Sequence, residues 1–388
     1  MPTAATSRTP LRYAEFFAGI GLVRMGLERS SSRWSCEFAN DLDPVKRDIY
    51  AAHFGEPVES IDGSDVHDLP GDSVGNIDLA TASFPCTDLS LAGGRGGIRS
   101  GESSAFWGFH RVLEEMGERR PPMVMLENVV GFLSSNGGND FRDAMLAMNE
   151  LGYRVDPFVL DARWFTPQSR PRMFIVCTSD ELADDGAGGL VAESRIRPHK
   201  LAAFVHRHSG EIRWNIRDLP EPPLESPRKL KDIVQQLRPG HPDWWKEDRV
   251  EYLLGQMFDR HLAWIDANRD QSRYQYATAF RRVRPIGGGE KKSMAELRTD
   301  GIAGCLRTPK GGSGRQILVR AGRGTVAARL LSGPECASLM GADGYTMAGT
   351  LNQMLFGFGD AVCVDAVSWI AQHYIEPVLA KAAAAVAV

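Results

Sequence analysis

The run Ile77-Asp78-Leu79-Ala80-Thr81-Ala82, ending at Ser83-Phe84-Pro85-Cys86, constrains this chain more than any other stretch. So short an apolar run suits a strand buried on both faces of a parallel sheet better than a core helix. Proline just beyond it fixes the direction in which the backbone leaves. Cys86 then stands at the carboxyl edge, where α/β sheets hold reactive groups. The stretch 92–101 is glycine-rich and carries Arg95 and Arg99, which suits a lid over an anionic substrate. A buried structural cysteine beside an ordinary surface loop fits the Pro-Cys pair equally, so the rest of the chain decides.

At 388 residues there is room for two domains, one inserted in the other. No apolar run reads as a membrane span, and Met1-Pro2-Thr3-Ala4 lacks the pattern of a secretory leader. The cysteines (36, 86, 177, 305, 336 and 363) form no Cys-x-x-Cys pair. The expectation is therefore reduced thiols in the cytoplasm, with no zinc site and no disulfide frame. Net charge is −4, but it is unevenly spread: residues 194–325 carry 26 Lys and Arg against 15 Asp and Glu. A basic module set into an acidic chain points to a polyanionic partner.

Leu11 to Phe17 reads as a first strand, broken by Ala18-Gly19-Ile20-Gly21 before a helical stretch. Strand, glycine turn and helix form a nucleotide-type cofactor site, because glycines admit the ligand and the helix N-terminus offers amides. A second strand, Trp34 to Ala39, ends at Asn40-Asp41-Leu42-Asp43-Pro44. Asp41, roughly 20 residues past the glycines, is placed for ribose hydroxyls, or alternatively to cap the next helix. Asp65 is read as ending a third strand. Met123 to Leu126 is a further buried strand that delivers Glu127 to the same edge as Cys86. Tyr153 to Leu160 and Met173 to Cys177 form an outer pair, and strand alternation between them aims Arg170 and Arg172 together. Beyond Asp180 the periodicity fades into a basic, irregular stretch. Arg281, Arg282 and Arg284, with Lys310 and Arg315, are its phosphate-suited positions.

In this order the stretches resemble the cytosine carbon-5 DNA methyltransferases. Phe17-Ala18-Gly19-Ile20-Gly21 is similar to the family's first motif, with Leu22 in place of a glycine. Asn40-Asp41 resembles its ribose site, Asp65 its adenine-edge position, and Phe84-Pro85-Cys86 its nucleophile motif, with Thr87 for glutamine. Glu127-Asn128-Val129, Gln168-x-Arg170-x-Arg172, and Arg329 with Pro334-Glu335-Cys336-Ala337 match later motifs. Gly359-Asp360-Ala361-Val362 resembles the last motif, with Asp360 for asparagine. The end of the basic stretch, Gly301 to Leu306, resembles the recognition-loop region, with Cys305 where threonine is common.

The resemblance implies a Rossmann-like α/β S-adenosylmethionine-dependent methyltransferase domain (11–185 and 326–375) and an inserted, irregular target-recognition domain (186–325), followed by a tail (376–388). It implies that S-adenosylmethionine, leaving as S-adenosylhomocysteine, is held by Phe17, Ala18, Gly19, Gly21, Asp41, Leu42, Asp65, Val66, Pro85, Asp360, Ala361 and Val362. Cys86 would add to carbon 6 of a flipped cytosine in duplex DNA, Glu127 would engage N3, and Arg170 and Arg172 would steady charge. Arg95 and Arg99 would join the basic residues above on DNA. No metal is called for. A monomer is expected, acting in the cytoplasm at the nucleoid, with a restriction or defence partner as a further expectation. Asp360 is expected to cap the last helix. The other readings are a nicotinamide-dependent dehydrogenase, a non-catalytic DNA-binding relative and a tRNA cytosine methyltransferase.

Overall fold

The computed structural model describes residues 10–85, 104–184, 191–287, 290–308 and 315–386. Its strands and helices run β1 (Leu11–Phe16), α1 (Leu22–Ser30), β2 (Trp34–Asn40), α2 (Pro44–Phe54), β3 (Leu79–Ala82), α3 (Ala105–Met116), β4 (Met123–Val129), α4 (Asn139–Glu150), β5 (Tyr153–Asp161), β6 (Pro171–Ser179) and α5 (His199–Arg207). There follow α6 (Leu230–Ile233), α7 (Glu247–Leu254), α8 (Asp259–Arg269), β7 (Gln275–Gly287), β8 (Glu290–Arg298), β9 (Ile317–Gly322), β10 (Thr325–Leu330), α9 (Gly333–Leu339), α10 (Leu351–Asp360), α11 (Val364–Ile370) and α12 (Glu376–Val386). The chain divides into two compact units: 1–161, 171–222 and 362–388 form the first, and 162–170 with 223–361 form the second.

The first unit holds a six-stranded sheet in the order β2-β1-β3-β4-β6-β5. β2, β1, β3 and β4 are parallel, whereas β6 and β5 run antiparallel to them. Strand order reverses between β1 and β3, so the loops leaving these two strands diverge and open a crevice. β3 and β4 are almost wholly buried, as expected when helices cover both faces. On one face Phe106, Phe109, Val112 and Leu113 of α3 join Val124 and Leu126 in the core. Elsewhere Gly26 lets α1 close on α11, since a Cβ there would lie 2.5 Å from that of Val367. No third strand ends at Asp65: Asp62 makes a single parallel bridge to Asn40, and Asp65 opens a turn by accepting from the His67 amide at 2.9 Å.

Residues 191–222, expected within the insert, pack with this unit. Asp156 of β5 is fully buried and accepts from Arg197 at 2.8 and 3.0 Å and from the Arg217 amide at 2.9 Å. The expected tail 376–388 is helical as far as Val386: Glu376 accepts from Ser30 Oγ and Trp34 Nε1, and Val378 and Leu379 are buried. The stretch Leu351–Ala384 is apolar enough for a membrane span by composition, with a mean hydropathy of 1.5. It breaks between α10 and α11, and 78% of its most apolar window is buried inside the protein.

The second unit is not irregular. β10-β9-β7-β8 form an antiparallel sheet, one face of which (Ala277, Ala279, Ala295 and Leu297) packs on Val250 and Leu253 of α7 and Ile265 of α8. The alanines that line this face carry little hydrophobic signal, and arginines crowd the same strands, so strand periodicity is weak in the sequence.

Glu15 of β1 is buried directly beneath the loop that leaves the strand, with Tyr50 Oη donating to it at 3.5 Å. Desolvation, opposed by nearby Arg24, pushes its carboxyl up to about 8. Above its unfolded value of about 4.5 the unfolded chain has released a proton that the folded chain keeps, so stability falls as pH rises towards 8. Glu15→Gln removes this dependence. Urea unfolding at pH 5.5 and pH 8 should show the variant gaining on wild type by up to about 1.4 kcal/mol per pH unit; a gap that does not change with pH would contradict it.

Candidate active site

The parallel register lines up one edge. Phe16 pairs with Asn40 and with Ala82, and Ala82 pairs with Leu126. The next residues, Phe17, Asp41, Ser83 and Glu127, therefore follow the same row, the first three just beyond the ends of β1, β2 and β3 and Glu127 within β4.

Leaving β1, the loop turns on three positive φ angles: 54° at Phe17, 58° at Gly19 and 78° at Gly21. The two glycines serve different needs. A Cβ on Gly21 would meet Phe54 at 2.4 Å and Tyr50 at 2.8 Å, whereas one on Gly19 would enter open space, its nearest neighbour being the Phe17 carbonyl oxygen at 3.9 Å. α1 then begins without a side-chain cap and without an acidic residue in its first turn, leaving amides and the positive dipole end for an anion. Leu22, in place of the glycine, is the buried first residue of α1.

Asp41 is buried, and burial raises its carboxyl pKa above the ordinary value. It accepts from the Gly19 amide at 2.7 Å and the Asp43 amide at 2.9 Å, which stitches the β1 and β2 loops together. A carboxylate has about four acceptor positions, so two remain for hydroxyls. The helix cap is a neighbour: Asp43 accepts from the Val45 amide at 2.9 Å. Leu42 is 61% exposed, an apolar surface beside the loop. Asp65 is half-buried and Val66 buried, next to Asn40 Nδ2, which donates to the Ser64 carbonyl at 2.9 Å.

Beyond β3, Phe84 is wedged between Phe106 and Phe132, and Pro85 follows half-buried. Asn128 Nδ2 donates to the Phe84 carbonyl at 3.2 Å, and its Oδ1 accepts the Val129 amide at 2.8 Å. It fixes the segment that leads to Cys86. The sequence signal for this role was an asparagine inside an apolar strand, a polar group that burial penalises unless it is bonded. Cys86, Arg95, Arg99 and Lys310 lie outside the described residues.

Glu127 is not beyond β4 but within it, because β4 continues to Val129 against β6. Arg172 pairs with Val129, and Glu127 is two residues away on the same face, so the two side chains meet diagonally. Arg172 Nε lies 3.1 Å from Glu127 Oε1, both largely buried.

Arg170 is not on this strand. It precedes β6 and belongs to the second unit, so strand alternation does not govern it. It is buried there, donating to the carbonyls of Leu306 (2.8 Å), Gly359 (2.8 Å) and Ala361 (2.7 Å) and to Cys305 Sγ (3.3 Å). Gln168 works beside it, accepting the Leu306 amide and donating to the Leu339 carbonyl, each at 2.8 Å. Together they pin the segment 303–306, which Ala303 also bridges to Gln168.

A model of the C-5 cytosine-specific DNA methylase family matches residues 11–376. The chain belongs to this family. The type II methyltransferase M.HhaI of Haemophilus parahaemolyticus is 26% identical over 371 residues, 94% of either chain. M.NgoBI of Neisseria gonorrhoeae is 33% identical over 247 residues, 60% of this chain and 68% of that one. Among solved structures, the Dnmt2 methyltransferase of S. pombe has a TM-score of 0.60 at 17% identity, over 95% of this chain and 99% of its own. The methyltransferase EhMeth of Entamoeba histolytica has 0.64 at 13%, over 96% and 99%. At these identities the likeness is one of fold, that of the Rossmann-like methyltransferases.

C-5 cytosine methylases draw their methyl group from S-adenosylmethionine, and the open space at Gly19, the uncapped α1 and the exposed Leu42 fit such a cofactor. The last motif of this methylase departs from expectation. Asp360 ends α10, and α11 starts only at Val364 with Cys363 in the N-cap position, so Asp360 is not the N-cap residue. Ala361 and Val362 form the connection. The basic cluster also divides: β7 alternation puts Arg281 on the face packed by α7, and Arg282 and Arg284 on the opposite face. Arg284 is tied to Glu296, and Arg315 to Asn352. Among the described residues no His, Cys, Asp and Glu group forms a metal site.

The two loop glycines should separate on substitution. Gly21→Ala should unfold at markedly lower denaturant. Gly19→Ala should lose only about 1–2 kcal/mol but bind S-adenosylmethionine at least tenfold more weakly by calorimetry. Similar losses of stability in both variants, with binding kept, would refute this division.

Proposed function

We propose that the protein methylates carbon 5 of cytosine within a specific duplex DNA sequence. The observation that carries this reading is the shared carboxyl edge, which gathers the glycine loop, Asp41, the Phe84-Pro85 approach to Cys86 and the Glu127–Arg172 pair. S-adenosylmethionine, when bound, supplies an electrophilic methyl group. Phe17, Ala18, Gly19, Gly21, Asp41, Leu42, Asp65, Val66 and Pro85 are the residues of the first unit assigned to hold it, with Asp360, Ala361 and Val362 as the remaining assignments from the last motif.

Cys86 adds its sulfur to carbon 6 of the base and makes carbon 5 nucleophilic; once carbon 5 carries the methyl group, a base takes its proton, the sulfur–carbon 6 bond breaks and Cys86 leaves as the thiolate. A free thiol is only a few per cent ionised at neutral pH, so its surroundings must favour the thiolate. Glu127 engages N3 of the base and draws electron density from carbon 6, and Arg172 takes the base oxygen. Their ion pair holds both side chains in place before the base arrives, which limits reorganisation. Arg170 donates to Leu306, Gly359, Ala361 and Cys305 and so holds the segments 305–306 and 359–361 together. The base must leave the stack to reach these groups, at a cost of about a few kcal/mol. Residues within 223–325, together with Arg95 and Arg99, provide the DNA contacts that offset it. The protein acts as a cytoplasmic monomer on nucleoid DNA. The type II naming of its relatives supports a place beside a restriction or defence partner.

The test is bisulfite sequencing of DNA from a methylation-deficient host that expresses the protein. Wild type should leave one recurring methylated sequence. Cys86→Ser should leave none, at least a thousandfold less, while binding S-adenosylmethionine as before. Methylation confined to tRNA, or a silent wild type that binds DNA, would replace this reading with the tRNA methyltransferase or the non-catalytic one.

A further inference from the structure

Arg281 stands apart from the other basic residues of the second unit. It lies where the packed face of β7 and β8 ends, half-buried, opposite Ala295. Its guanidinium carbon is 5.9 Å from the ring centres of both Trp245 and Tyr252. Nε donates to Gln256 Oε1 at 2.9 Å, and Gln256 is itself buried, so the fork is fixed by one edge. Among the described residues its two terminal nitrogens have no hydrogen-bond partner. Desolvation lowers its pKa from the ordinary value, as for a cation partly withdrawn from water. By contrast, Arg284 spends Nε on Glu296, and Arg282 rests only on the ring of Phe280.

A groove of about 310 Å³ opens at the same place, lined by Tyr252, Gly255, Gln256, Lys292 and Ser293. Tyr252 and Val283 nearby are 63% and 61% exposed, large apolar surfaces next to an unspent pair of donors. Phosphates accept from many solvated, flexible side chains, lysine as a point charge among them, as well as from arginine forks. A rigid guanidinium fork with two parallel donors matches two adjacent acceptors, as on the major-groove edge of guanine. We propose that Arg281, held in register by Gln256, reads a guanine in the DNA target and sets sequence choice more than overall affinity. The proposal rests on the DNA methyltransferase reading above.

The experiment compares methylated-site sequences of wild type, Arg281→Lys, Gln256→Leu and Gln256→Glu, by bisulfite sequencing together with DNA affinity over a salt series. Arg281→Lys keeps the charge but loses the fork. It should relax discrimination about tenfold or more at one position, a guanine in the wild-type site, with S-adenosylmethionine binding unchanged. Gln256→Leu should relax the same position, and Gln256→Glu, which still accepts from Nε, should restore it. An unchanged site in Arg281→Lys, or a loss of affinity uniform across sequences, makes Arg281 a phosphate contact and overturns the proposal. A wild type that methylates no cytosine in DNA sinks the underlying reading, and the proposal with it.

Discussion

Phe16 pairs with Asn40 on one side and with Ala82 on the other, and Ala82 pairs with Leu126. That register is what the chemistry of the first unit depends on. A slip of one residue in any of these strands would turn its side chains to the other face and carry Asp41, Phe84 or Glu127 out of line. The register is held where an error would be costly: β3 and nearly all of β4 are buried, Phe84 is locked between Phe106 and Phe132, and Asn128 ties the Phe84 carbonyl to β4. The loop after β1 is then closed onto β2 by the Asp41 carboxylate, so the glycine loop and Asp41 are fixed together.

Positive charge in the second unit is used in a different way. Arg329 and Glu335 are fully buried and paired, with Nη1 to Oε2 at 2.7 Å, and Glu335 also completes the capping box of α9 with Ser332. Such a pair contributes little net stability, because desolvation offsets the attraction, but removing either partner strands a buried charge and costs about 3–5 kcal/mol. Trp244 lies between Arg329 and Arg320, and Arg320 also faces Tyr274. Arg170, Arg329 and, from the basic stretch 194–325, Arg320 are thus committed to the interior of this unit.

Strands β1 to β6 are legible as apolar runs next to polar or glycine breaks, although Glu127 and Arg172 fall inside β4 and β6 and the strand expected to end at Asp65 is reduced to a bridge at Asp62. What the sequence concealed depends on long-range partners. Gln168-x-Arg170-x-Arg172 reads as one strand face, yet the strand begins at Pro171, so strand alternation does not relate Arg170 to Arg172. Residues 195–217 read as part of a basic insert because their arginines are visible and the buried Asp156 that receives Arg197 is not. The sheet of the second unit was missed since its inner face is largely alanine. Asp360 read as a cap from local composition alone, but the preceding helix extends through it and displaces the next start to Val364.

The central claim is that this edge delivers Cys86 to carbon 6 of a cytosine. The most direct measurement is peptide mass spectrometry of the protein after reaction with duplex DNA that carries 5-fluorocytosine in its methylated site, with S-adenosylmethionine present. Fluorine cannot leave as a proton does, so the base should remain attached, methylated, to the peptide containing Cys86. A linkage at another residue, or methylated DNA with no covalent adduct, would contradict the account.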